Sequence, residues 1–269
     1  MMKRMVLSMS IACSIFMLLA YTGIQSSPAA AESPAFIRIV HASPDVGTVD
    51  VFMDGMKLLS SFQYASVTNY LPLPAGSHNM KIALIGKGVN ASVITQTFPV
   101  SIGKAYTIAA LGMQSTKNLS VKVFEDDNTV AGNTSKVRVY HLSPGAGSVD
   151  TAESMHTVIH GISYSQASDY ILVPAGSHVF DMTISPANVA IPVSTALKPW
   201  TVTSLFAIGL LNSSPALKFV TAQAPGVPGL PQTGSSPIAE SSQPWTFLAI
   251  ALCLLLTVAG SIYRRERSA

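Results

Sequence analysis

The feature that most constrains this chain is a repeat. Residues 37–44, Ile-Arg-Ile-Val-His-Ala-Ser-Pro, return at 137–144 as Val-Arg-Val-Tyr-His-Leu-Ser-Pro, at an offset of 100. Val49-Asp50 returns as Val149-Asp150 at the same offset. So does Tyr70-Leu71-Pro72-Leu73-Pro74-Ala75-Gly76-Ser77-His78, as Tyr170-Ile171-Leu172-Val173-Pro174-Ala175-Gly176-Ser177-His178. A unit of about 100 residues has the usual size of a compact domain and can bury a core of its own. Inside each unit the hydrophobic period is two. Ile37, Ile39 and His41 share one face while Arg38 points the other way, and His78, Met80, Ile82 and Leu84 alternate likewise, as strands do. Asp54-Gly55 after Val49–Met53 reads as a tight hairpin turn. Lys104–Gly112 and Leu119–Phe124 read as further strands, and no long amphipathic helix appears between Glu32 and Thr233. The expected fold is all-β: two tandem antiparallel β-sandwiches, Ig-like or transthyretin-like, over 32–126 and 136–222. Polar residues 127–135 are expected to link them.

The His-x-Ser-Pro, Val-Asp-Val and Leu-Pro-Ala-Gly series resembles a bacterial extracytoplasmic family known as domain of unknown function 4397. The resemblance covers most of 36–220 and implies a fold without implying an activity. The second copy departs from it. Gly145 replaces Asp45, and Thr151-Ala152-Glu153 stands where Val51-Phe52-Met53 continues a strand, so a site needing Asp45 or the Asp54-Gly55 turn is expected only once.

Both ends carry processing signals. Lys3-Arg4, the apolar run Val6–Ala20 and the small residues Ala29-Ala30-Ala31 read as a signal peptide over 1–31, cut between Ala31 and Glu32 by signal peptidase after export by the secretion machinery. At the other end, the Pro/Gly/Ser-rich segment 223–244 contains Leu230-Pro231-Gln232-Thr233-Gly234. Uncharged residues 245–263 follow, then the basic tail 264–269. Nineteen helical residues span about 28 Å, close to the hydrocarbon thickness of a bilayer, and the arginines favour a cytoplasmic end. Pentapeptide, apolar span and basic tail in this order resemble the sortase substrates of Gram-positive bacteria. The resemblance implies cleavage between Thr233 and Gly234 and transfer of Thr233 to the peptidoglycan cross-bridge, with the membrane touched only in transit. Ser235 stands where an acidic residue is frequent in that family, which leaves the sortase class open.

Composition narrows the chemistry. Cys13 and Cys253 both lie in segments expected to be removed, so thiol catalysis, cysteine–zinc sites and disulfides are excluded from the mature body. Between Glu32 and Thr233 there are 11 Lys/Arg and 11 Asp/Glu. A neutral body has no field to steer nucleic acid, so no such partner is expected. His41, His78, His141 and His178 could meet Asp45 or Asp50 to hold a divalent ion. The alternative is a neutral core histidine bonded to a turn backbone, and that is the expectation, with no metal and no cofactor.

Ser43, His41 and Asp50 include the residue types of a hydrolytic triad, but Ser43-Pro44 also suits a simple turn. The signature residues His41, Ser43, Pro44 and Asp50, with His141, Ser143, Pro144 and Asp150, are accordingly expected to be structural. Glu125-Asp126-Asp127 is expected to be solvated linker rather than a calcium loop. Lys57, Lys81 and Lys104 are candidates for internal amide bonds, and Tyr64, Tyr70, Tyr140, Tyr164 and Tyr170 for stacking on sugars. The reading as a whole is a non-catalytic structural or binding module on the cell wall. Its alternatives are an adhesin for glycan or host protein, or a metal-dependent hydrolase using His41, His78 and Asp50.

Overall fold

The computed structural model describes residues 33–130, 134–153 and 156–226. Packing groups Met1–Val227 into one compact unit and Pro228–Ala269 into another; every described residue belongs to the first. The first repeat contributes β1 (Ala35–His41), β2 (Val49–Met53), β3 (Met56–Phe62), β4 (Leu71–Leu73), β5 (Gly76–Leu84), β6 (Ser92–Val100), β7 (Ala105–Leu111) and β8 (Ser120–Asp126). They form two four-stranded sheets, ordered β4-β1-β7-β8 and β3-β2-β5-β6. The Asp54-Gly55 turn joins β2 to β3 with both residues at positive φ, 52° and 84°, the geometry a two-residue hairpin needs. Between the sheets lie Ile37, Ile39, Val51, Met80, Ile82 and Ile108, all at most 2% exposed.

The second repeat follows the same plan. Its strands are β9 (Thr134–His141), β10 (Ser148–Glu153), β11 (His156–Ile162), β12 (Gln166–Ala167), β13 (Ile171–Pro174), β14 (Gly176–Ser185), β15 (Val189–Leu197), β16 (Thr201–Ile208) and β17 (Lys218–Pro225). The sheets run β11-β10-β14-β15 and β12-β9-β16-β17, with β13 also pairing β9. Val137, Val139, Phe180, Met182, Ile184 and Leu205 fill the space between them. Strand β9 starts inside the segment 127–135, and β17 runs past residue 222 to Pro225.

Three expectations need correction. The sandwiches are not purely antiparallel: β1 pairs with β7 in parallel, from Phe36↔Ala105 to His41↔Ala110, and β9 pairs with β16 in the same way. Alternation reports which face a side chain takes and says nothing of strand direction. The chain leaves β1, builds the opposite sheet and returns beside β1, a crossover long enough for parallel pairing. Secondly, Thr151-Ala152-Glu153 does not interrupt β10. These residues pair with Met182, Asp181 and Phe180, and the Thr151 hydroxyl lies 3.1 Å from Met182 Sδ. Thirdly, Asp126 is not solvated. It ends β8 with its carboxylate fully buried.

The burial of Asp126 reflects a third core. Val40, Ala42, Ala109, Leu111 and Phe124 of the first repeat pack with Tyr140, Leu142, Phe206 and Ile208 of the second. The inner strands at this contact therefore have neither face free: β7 is buried at all seven positions and β16 at seven of eight. The two sandwiches are welded face to face.

Candidate functional site

The signature turns are built by their histidines. His41 ends β1, and its Nε2 donates to the Gly47 carbonyl at 2.7 Å; His141 does the same to Gly147 at 2.7 Å. A carbonyl only accepts, so Nε2 carries the proton and Nδ1 is bare. In the second repeat the Ser143 amide donates to His141 Nδ1 and the Ser143 hydroxyl to the Gly209 carbonyl at 2.6 Å. In the first repeat His41 Nδ1 and Ser43 Oγ have no hydrogen-bond partner, and both residues are 1% exposed. Ser43 is thus neither activated by His41 nor reachable by a substrate.

Burial pushes both imidazoles below the ordinary 6.5, against a smaller raising effect of their carbonyl partners. A histidine neutral in the fold and protonated more readily in the unfolded chain gives stability that is complete above pH 6.5 and declines as pH falls below it. The thermal midpoint is expected to drop between about pH 7 and pH 5. In circular dichroism melts, His41→Gln with His141→Gln should flatten that part of the profile.

The acidic candidates are each engaged locally. Asp45 accepts the Gln114 and Ser115 amides, both at 2.8 Å, and so caps the β7–β8 turn. Asp50 accepts from Lys57 Nζ at 2.8 Å and from the Ser61 and Gly86 amides. Asp150 holds the Gly161 amide at 2.7 Å. His78 bonds Asp54 through Nδ1 at 2.6 Å and the Pro74 carbonyl through Nε2 at 2.8 Å, tying the hairpin tip to the Pro74-Ala75-Gly76 turn. The second repeat has a counterpart that uses Glu153 in place of an aspartate: His178 bonds Glu153 and the Pro174 carbonyl. Glu153 comes one position earlier than Asp54 in the repeat and its longer side chain makes up the distance. The four histidines do not converge, and no group of three His, Cys, Asp or Glu suited to a metal occurs among the described residues. Of the candidate lysines, Lys57 pairs with Asp50 and Lys104 with Glu125 at 2.8 Å, the latter pair in solvent.

The densest polar cluster lies between the repeats. Arg38, 2% exposed, donates from Nε to Thr107 at 2.7 Å and from Nη2 to Ser204 at 2.6 Å and Tyr140 at 3.1 Å. Its guanidinium lies over the rings of Tyr70, Tyr140 and Phe206. Arg138, its repeat partner, donates to the Ser168 and Glu125 carbonyls and to Asp126 Oδ1 at 3.2 Å. Asp126 accepts from Tyr70 at 2.7 Å and from Thr107 and Tyr140, with Arg38 Nη2 at 3.7 Å. Burial pushes the Tyr70 and Tyr140 hydroxyls up, so they remain protonated donors. One carboxylate serves two arginines, because Ala224 occupies on β17 the place that Asp126 has on β8.

The tyrosine candidates are absorbed by this packing. Tyr140 is buried, Tyr70 and Tyr170 bond into the cluster, and Tyr164 accepts the Gly112 amide of the other repeat. Tyr64 packs edge-on to His41. Solvent instead meets a side groove of about 350 Å³ in the second repeat, between β11 and residues 166–171, where His160, Gln166 and Asp169 reach the surface.

The family model described as Domain of unknown function (DUF4397) matches residues 35–152 and again 135–229. The chain belongs to the DUF4397 family. Both matches carry the His-x-Ser-Pro turn, which the structure explains as a buried closure shared by every copy of the DUF4397 plan seen here. No curated protein matches the sequence. Among solved structures, the C-terminal domain of AlgF from P. aeruginosa is 15% identical at a TM-score of 0.28, covering 35% of this chain and 100% of that one. A family CBM26 module from Eubacterium rectale Amy13K, in complex with maltoheptaose, is 10% identical at 0.26, covering 72% of this chain and 98% of that one. At such scores neither assigns a function to the DUF4397 pair.

The processing signals, Ala31 and Glu32 at one end and Leu230-Pro231-Gln232-Thr233-Gly234 with 245–269 at the other, lie outside the described residues. Sequence reasoning missed Arg38, Arg138 and Asp126 as a joint cluster. It also missed Trp200, the only exposed tryptophan among the described residues.

Proposed function

We infer that this protein is exported, processed after Ala31, and joined by sortase through Thr233 to the peptidoglycan cross-bridge of a Gram-positive wall. There its paired DUF4397 repeats act as a rigid, non-catalytic binding module. The observation that carries the reading is the order of the C-terminal signals: Leu-Pro-Gln-Thr-Gly, an uncharged 245–263, then Arg264, Arg265 and Arg267. Strand β17 ends at Pro225, five residues before Leu230. The motif therefore follows the sandwich directly, behind a Pro/Gly stretch that suits an enzyme needing extended peptide. The non-catalytic reading is supported by His41 and Ser43, buried and not bonded to each other, and by Asp45, Asp50 and Asp150, each of which accepts from nearby backbone amides.

Cell fractionation tests it. The protein should leave the wall on treatment with a muralytic enzyme and resist detergent, and Thr233→Ala should move it to the detergent fraction. Release of the native protein by detergent alone would overturn the anchoring.

A further inference from the structure

We propose that Trp200 is a stacking platform for the glycan strand to which the protein is anchored. Trp200 sits in the turn between β15 and β16, 56% exposed, with φ at +60°. The first repeat has Gly103 at the corresponding place, with φ at +68°. The correspondence is fixed by the backbone: Gly103 donates to the Pro34 carbonyl, and Trp200 to the Thr134 carbonyl, one repeat later. Glycine takes this left-handed conformation freely; a residue with a side chain does so at a cost. The second repeat has thus put its most exposed aromatic ring where its own fold favours glycine. Six other described non-glycine residues share a positive φ, but Trp200 is the one among them that turns a large apolar ring to solvent, and it is that exposed ring, held at a cost to the backbone, that points to a use outside the fold.

The position says what it meets. The Trp200 carbonyl accepts the Gly226 amide at 2.7 Å, so the platform is fastened to the point where the sandwich ends. Thr233 lies seven residues further on. Whatever path those residues take, they span at most about 25 Å. On the anchoring reading above, on which this proposal rests, Trp200 is therefore held within about 25 Å of Thr233, the residue joined to the cross-bridge. The ring holds murein glycan tightly enough to be seen in the free chain, and a tether this short raises its occupancy further by proximity alone. The apolar C–H face of a pyranose suits the electron-rich face of an indole. Lys198, exposed two residues earlier, offers a cation to the carboxylates of stem peptides.

The test uses the full-length chain in mild detergent, protein-free peptidoglycan sacculi as the probe, and no sortase. The native chain should co-sediment with sacculi and be displaced by N-acetylglucosamine tetramer. Trp200→Gly should lose at least tenfold of the bound fraction while its thermal midpoint rises by about 2–4 °C, because strain is relieved. Trp200→Phe should keep part of the binding. Equal sedimentation of Trp200→Gly and the native chain, or a native chain that stays in the supernatant, overturns the proposal. Fractionation separates the two readings. Covalent anchorage without Trp200-dependent sedimentation removes the stacking alone; Trp200-dependent sedimentation of a chain that detergent releases from cells removes the anchoring alone.

Discussion

Asp126→Ala is expected to destabilise the protein by about 3–5 kcal/mol, the cost of leaving buried charge without its partner. The magnitude follows from what Asp126 faces. Its carboxylate is fully enclosed, receives Tyr70, Tyr140, Thr107 and Arg138, and stands 3.7 Å from Arg38. Removing it leaves two guanidinium groups, one 2% exposed, with only neutral oxygens around them. The Tyr140 hydroxyl loses its acceptor at the same time, and the Tyr70 hydroxyl is left with Asn128 Oδ1 at 3.4 Å. For a body of this size the loss lowers the thermal midpoint by roughly 10 °C. Asp126→Asn keeps an acceptor for the hydroxyls and should lose less. Urea denaturation of the three proteins measures the difference, and a change below about 1 kcal/mol for Asp126→Ala would mean that the cluster is hydrated.

The second large effect distinguishes the repeats. Gly47 and Gly147 are equivalent, both at positive φ, 74° and 83°, and both bonded by a signature histidine. A Cβ on Gly47 meets nothing within 4 Å, whereas one on Gly147 lies 2.0 Å from the Ser185 carbonyl oxygen. Gly47→Ala should cost only the left-handed conformation, about 1 kcal/mol. Gly147→Ala must also move a backbone segment and should cost at least about 3 kcal/mol. Equal effects, measured by the same denaturation, would contradict the packing described for the β14–β15 end of the second sandwich.

The halves of this architecture were unequally visible in the sequence. Period two placed Ile37 and Ile39 inward, Asp54-Gly55 announced its hairpin, and the 100-residue offset defined two copies with separate cores. The side of β1 holding Arg38 was also legible. What covers that side was not, since alternation identifies a second face without naming its neighbour. A signal was present nonetheless. Ala105–Leu111 and Thr201–Ile208 are apolar or hydroxyl-bearing at nearly every position, as in strands buried on both faces. Arg38 with Arg138 and Tyr70 with Tyr170 are costly residues repeated where a solvated sheet would not need them. The carboxylate that serves them escaped notice because it stands in an acidic triplet, Glu125-Asp126-Asp127, that reads as a solvated linker. The parallel pairing of β1 with β7 escaped because side-chain pattern has no direction. Trp200 was passed over because a positive φ at a non-glycine residue cannot be read from sequence.

The central claim is that the DUF4397 copies form one cooperative body around the Arg38–Asp126–Arg138 cluster, not two beads on a linker. The most direct measurement is native-state hydrogen exchange on the full chain, comparing core amides of β5 with those of β14. One body predicts that both sets exchange by the same global opening, with a shared free energy that Asp126→Ala lowers equally in each. Two separate free energies, with only one repeat responding to Asp126→Ala, would contradict the account.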